Sequence, residues 1–126
     1  MFFALALALV GVVAGGAGLI AQSRRDFDVV ARQYAFRVNG GGPEIRVLQN
    51  DLVHVTFSTE DAIPHSFAIR DENGSTYRVM KRAEPGKPVS FDFRADTPGR
   101  FVFYCSLTLD EKCKDMQGSF TVDKAN

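Results

Sequence analysis

The sequence predicts an all-β sandwich preceded by one long apolar segment, and three observations predict it. Short runs of alternating apolar and polar residues recur along the chain, separated by Gly, Pro, Asn and Asp turns. Eleven phenylalanines, most of them on those runs, supply a core. Residues 1 to 22, MFFALALALVGVVAGGAGLIAQ, contain no charged side chain, and the first charges are Arg24 and Arg25. The remainder is about the size of one ordinary domain, large enough to bury a core without several disulfides.

The first segment meets the length of about 20 residues needed to cross the hydrocarbon of a bilayer. A cleaved signal peptide normally carries a basic n-region, and here only the α-amine provides one. Residues 1–22 are therefore expected to form a single transmembrane anchor, with Ala14, Gly16 and Gly18 as loosely suitable residues for cleavage in the alternative. Gly11, Gly15 and Gly18 share a helix face on which another helix can pack closely. Glycine is also common in transmembrane helices, so the same residues have a bland explanation. Arg24 and Arg25 argue mildly for the opposite orientation under the positive-inside rule. The chemistry of the domain places it outside the cytoplasm.

Residues 23–29 read as a linker, and 30–126 as the folded domain. Val30, Arg32, Tyr34, Phe36 and Val38 form one side of a period-two run that reads as a single strand. Asn39-Gly-Gly-Gly-Pro43 is the strongest turn cluster. Glu44 to Leu48 and Leu52 to Ser58 follow as strands, separated by Gln49-Asn50-Asp51. The loop Asp61-Ala-Ile-Pro64 leads into a strand from His65 to Arg70, which Asp71-Glu-Asn-Gly74 turns back. Tyr77 to Ala83 has no clear period. Val89, Phe91 and Phe93 alternate, Thr97-Pro-Gly99 turns, and Phe101 to Cys105 is an apolar strand. A polar stretch from Ser106 to Asp115 precedes the last strand, Gly118 to Val122. Seven or eight such strands indicate a sandwich.

Net charge is zero and the basic residues are scattered, which excludes the one-sided footprint of a nucleic-acid binder. The phosphate-binding, dinucleotide-binding and nucleophile-elbow motifs are absent, so an enzyme is not expected. The chemistry concentrates in four residues. Cys105 ends an aromatic strand, Cys113 and Met116 follow in the next loop, and His65 stands at a loop-to-strand junction. Thiolate and thioether sulfur are soft and imidazole is borderline, a donor set that suits copper. Taken alone, the two cysteines of an extracytoplasmic domain favour a disulfide. His54 lies mid-strand on the opposite face and reads as a surface residue.

From Ala31 to Val122 the chain resembles the cupredoxin superfamily, in particular the copper A domain of cytochrome c oxidase subunit II and of nitrous oxide reductase. The resemblance is carried by ARQYAF, by DAIPHSF with one extra residue at Pro64, by Ala83-Glu-Pro-Gly-Lys87, and by Thr97-Pro-Gly with YCSLTLDEKCKDMQG. It implies a cupredoxin-like Greek-key β-sandwich. The family loop places Cys, Cys, His and Met where this chain has Cys105, Leu109, Cys113 and Met116. Leu109 cannot bridge two metals, and Cys113 stands in a histidine position. The resemblance thus implies one copper ion held by His65, Cys105, Cys113 and Met116, in place of a binuclear centre. The expected function is electron transfer in a respiratory or photosynthetic chain, beside a larger membrane complex or redox partner. The expected location is the cell inner membrane, single-pass, with the domain on the periplasmic side. Copper(I) handling, or a metal-free accessory subunit with a Cys105–Cys113 disulfide, are the alternatives.

Overall fold

The structure is a computed structural model and describes residues 23–108 and 111–125. Among the described residues nine strands form two sheets, with one short 3₁₀ helix, Glu111–Asp115, near the end. In chain order the strands are β1 (Arg24–Arg32), β2 (Ala35–Val38), β3 (Glu44–Leu48), β4 (Leu52–Thr59), β5 (His65–Asp71), β6 (Thr76–Ala83), β7 (Val89–Arg94), β8 (Gly99–Tyr104) and β9 (Gln117–Asp123). The four-stranded sheet runs β2-β1-β4-β7 and the five-stranded sheet β3-β9-β8-β5-β6. The β1/β4 and β3/β9 pairs are parallel and the others antiparallel. The all-β sandwich read from the sequence is therefore the fold. The expected N-terminal transmembrane helix falls on residues 1–22, outside the described residues. Among the described residues no helix is long and apolar enough to cross a membrane.

The period-two reading locates the core. Along β4, Val53, Val55, Phe57 and Thr59 point inward and are buried, whereas Leu52, His54, Thr56 and Ser58 are half-buried on the outer face. Phe36, Phe57, Phe67, Phe103 and Phe120 are all fully buried between the sheets. Their rings meet edge-on, tilted or stacked, with Phe67 and Phe103 stacked at 5.0 Å and Phe36 edge-on to Phe103 at 5.1 Å. Each such side chain contributes about 1.5–3 kcal/mol by leaving water, and aromatic pairing adds to it.

Gly118 faces Phe103 across the β8/β9 pair. A Cβ at that position would lie 2.1 Å from the Phe103 ring, so only glycine lets the ring lie against the strand.

Two expectations at the N-terminal end are corrected. Most of the predicted linker, residues 24–29, is strand: β1 starts at Arg24 and pairs in register with β4 from Arg24↔Leu52 to Ala31↔Thr59. Its first five residues are mostly charged and exposed, so they carry no apolar period, and the β4 backbone holds them instead. The predicted single strand from Val30 to Val38 is a hairpin. Gln33 and Tyr34 both take left-handed backbone angles, with φ of 53° and 60°, and reverse the chain between β1 and β2. The inward residues are consequently Val29 and Ala31 on β1 and Phe36 and Val38 on β2, with Ala31 opposite Phe36.

Candidate metal centre

The four residues singled out in the sequence lie at one end of the sandwich. His65 is the first residue of β5, Cys105 follows the last residue of β8, Cys113 sits in the 3₁₀ helix, and Met116 immediately precedes β9. Because β5 and β8 are adjacent and antiparallel, the start of one lies beside the end of the other. The ladder β8/β9 then brings the far side of the loop back to the same place. The backbone closes this loop: the Cys105 N–H donates to the Met116 carbonyl at 3.3 Å, and the Met116 N–H to the Cys113 carbonyl at 3.0 Å.

His65, Cys105, Cys113 and Met116 are each at most 2% exposed. One ligand atom each from His65, Cys105 and Cys113 falls within 4.8 Å of the others. His65 Nδ1 is 3.4 Å from the Cys113 sulfur and 3.8 Å from that of Cys105. The cysteines carry thiols and do not share a disulfide. Met116 is buried beside them, with its backbone bonded to both cysteines. Leu109, the other loop position weighed in the sequence, lies outside the described residues.

Two polar groups that the sequence reading gave no role complete the site. Asp61 receives the His65 ring at Nε2, 2.8 Å from Oδ2, and also accepts the backbone N–H groups of Gln33 at 2.7 Å and Tyr34 at 3.1 Å. Partial burial opposes charge on this carboxyl. The N–H of Tyr34, the His65 ring and the N–H of Gln33 outweigh it, so Asp61 titrates below the usual carboxylate range. A carboxylate only accepts hydrogen bonds, which puts a proton on His65 Nε2. Ser66 is the second group. Its N–H points at the Cys105 sulfur at 3.4 Å, and its hydroxyl accepts the Ser106 N–H at 2.8 Å. The spacing Asp61-x-x-x-His65 was the available signal for the first. Nothing in the pattern marked Ser66 apart from its place beside His65.

Tyr34 stands edge-on to the His65 ring at 5.5 Å, and Lys112 lies over the Tyr34 ring at 5.2 Å. The site is thus covered by the β1–β2 turn on one side and the 3₁₀ helix on the other. His54 takes no part: it is on the outer face of the four-stranded sheet, with Nδ1 against Asp92 Oδ1.

No protein-family model matches the chain, and no curated protein matches it in sequence. Solved structures do match it. Auracyanin A, a blue copper protein of the green thermophilic photosynthetic bacterium Chloroflexus aurantiacus, superposes with a TM-score of 0.67 at 15% identity, over 80% of this chain and 100% of that one. A chain of a heme-copper terminal oxidase dimer gives 0.66 at 25% identity, over 81% of this chain and 65% of that one. The blue copper oxidase of Nitrosomonas europaea gives 0.64 at 21% identity, over 82% of this chain and 40% of that one. The chain spans less than two thirds of both oxidase chains. Copper proteins thus share this arrangement of two sheets, and the chain resembles the cupredoxin superfamily in fold.

Proposed function

We propose that this chain is an electron-transfer protein holding one copper ion through His65, Cys105 and Cys113, with Met116 as a weak further ligand. The observation that carries the reading is the buried meeting of one imidazole and two thiols within 4.8 Å. The donor set fits the metal: two soft sulfurs and one borderline nitrogen suit copper better than harder divalent ions. Copper supplies a one-electron couple between Cu(I) and Cu(II). The protein's part is to hold the donors in place before and after the electron moves. His65 is fixed by Asp61, Cys105 by the Ser66 N–H, and the loop by the two backbone bonds at Met116. The overlap with auracyanin A, a blue copper protein covered along its whole length, supports a carrier over an enzyme. Residues 1–22 are proposed to tether it to the cell inner membrane with the domain on the periplasmic side, beside a larger redox complex.

A specific observation favours one second reading. Two sulfurs for one imidazole stabilise Cu(I), which suits capture or delivery of copper as well as redox cycling. One experiment separates them. The full chain is supplied with copper, and visible absorption and thiol titration are recorded for it and for Cys105→Ser. An intense thiolate-to-copper band that Cys105→Ser abolishes supports electron transfer. Uptake of colourless Cu(I) alone supports handling. No uptake together with no titratable thiol leaves the metal-free accessory reading with a Cys105–Cys113 disulfide.

A further inference from the structure

We propose that Asp61 is the positioning residue of this centre: it fixes His65 in the tautomer whose bare Nδ1 faces both sulfurs, and it ties that choice to the fold of the β1–β2 turn. Three contacts carry the assignment. Asp61 Oδ2 lies 2.8 Å from His65 Nε2, so the ring proton is held on the side away from the cysteines. Nδ1 is left with its lone pair toward Cys113 at 3.4 Å and Cys105 at 3.8 Å. The same carboxylate accepts the N–H groups of Gln33 and Tyr34.

Those two residues both occupy the left-handed backbone region, a conformation that side chains other than Gly and Asn rarely adopt. A two-residue hairpin turn without Gly or Asn needs support from elsewhere, and Asp61, 27 or more residues further along the chain, provides it. Tyr34, set by this turn, packs its ring edge-on against His65. One carboxylate therefore orders the turn, the ring that covers the histidine and the histidine itself. Asp61 is in turn seated by its own N–H, which donates to the Thr59 hydroxyl at 3.0 Å. Outer partners of this kind orient metal-binding imidazoles and raise their basicity.

The test is Asp61→Asn in the full chain. With its oxygen on the Gln33 N–H, a carboxamide turns an N–H₂ group toward His65 and toward the Tyr34 N–H that Oδ2 accepts in the parent, which favours Nε2 as acceptor and moves the proton to Nδ1. Two readouts are needed. In the copper-free, ¹⁵N-labelled protein, imidazole nitrogen correlations report the His65 tautomer: Nε2–H in the parent and Nδ1–H in D61N. In competition with a chromophoric Cu(I) chelator, D61N is expected to bind about 10- to 100-fold more weakly.

A parent with its ring proton on Nδ1, or an unchanged tautomer in D61N while the Gln33 N–H stays protected from hydrogen exchange, overturns the assignment, whatever the affinity does. A changed tautomer with unchanged affinity overturns the link to the metal. The affinity arm rests on the copper reading above and the tautomer arm does not. If the parent takes up no copper yet the tautomer switches, the copper reading falls and the orienting role of Asp61 stands. If D61N does not fold, Gln33→Asn with Tyr34→Gly supplies a turn that forms without Asp61. Both readouts are then repeated with D61N in that background.

Discussion

The protein has two histidines, and each faces an aspartate. His54 Nδ1 meets Asp92 on the outer face of the four-stranded sheet, where its side chain is 24% exposed and that of Asp92 is 52% exposed. His65 Nε2 meets Asp61 at the end of the sandwich, where its side chain is fully buried. The pairs look alike on paper and differ in what surrounds them. Solvent competes for the first pair, and among the described residues His54 belongs to no cluster of three or more potential metal-binding side chains. Burial removes that competition from the second, and two thiols wait on the far side of the ring. An imidazole–carboxylate pair is thus a surface contact in one place and part of the proposed metal site in the other.

Exchanging ligands should break this contrast most strongly. His65→Gln is expected to lower Cu(I) affinity by more than the roughly 100-fold that loss of a supporting residue causes, because it removes a donor outright. The same chelator competition, run on His54→Gln, should give the parent affinity within about twofold, since His54 lies on the outer face and is not among the clustered donors. Equal losses for the two variants would sink the assignment of His65 as ligand.

The packing behind the buried histidine offers a sharper, smaller test. Gly118→Ala forces the Phe103 ring away from β9, two residues beyond Met116, and overpacking of this kind typically costs about 1–3 kcal/mol. Urea unfolding of the copper-free protein should register that loss. The smallest effect is expected for His54→Gln in the same urea experiment: a change of about 0.5 kcal/mol or less, as for most surface substitutions.

The same contrast marks what the sequence made legible. His54 could be assigned to the outside by parity alone, because β4 alternates without interruption from Leu52 to Thr59. His65 drew attention through its local motif and through Cys105, Cys113 and Met116, whose spacing in one loop is a local property of the chain. Asp61 carried no comparable signal. Its role depends on Gln33 and Tyr34, which approach it only after β1 and β4 have paired in parallel. The hairpin at Gln33–Tyr34 was hidden for the same reason: neither residue is a turn former, and the acceptor that supports their backbone is distant in sequence. The charged start of β1 was invisible to periodicity because parallel pairing along β4, and not burial, makes it a strand. Local pattern therefore singled out the candidate donors, and tertiary contacts determine how one of them points.

The parallel pairing of β1 with β4 has a mechanical side. The chain joins the domain at Arg24, beside Leu52, and the strand then runs its full nine residues before reaching the turn that Asp61 supports. At about 3.3 Å per residue the point of attachment stands roughly 30 Å from that turn. A load applied through the preceding segment is borne as shear along the β1/β4 ladder, with its backbone bonds strained together, and not as a peeling force on the loop that carries the cysteines. Lever and metal-binding side chains would then sit at opposite ends of one strand, with Arg24 at one end of β1 and the turn that Asp61 ties to His65 at the other.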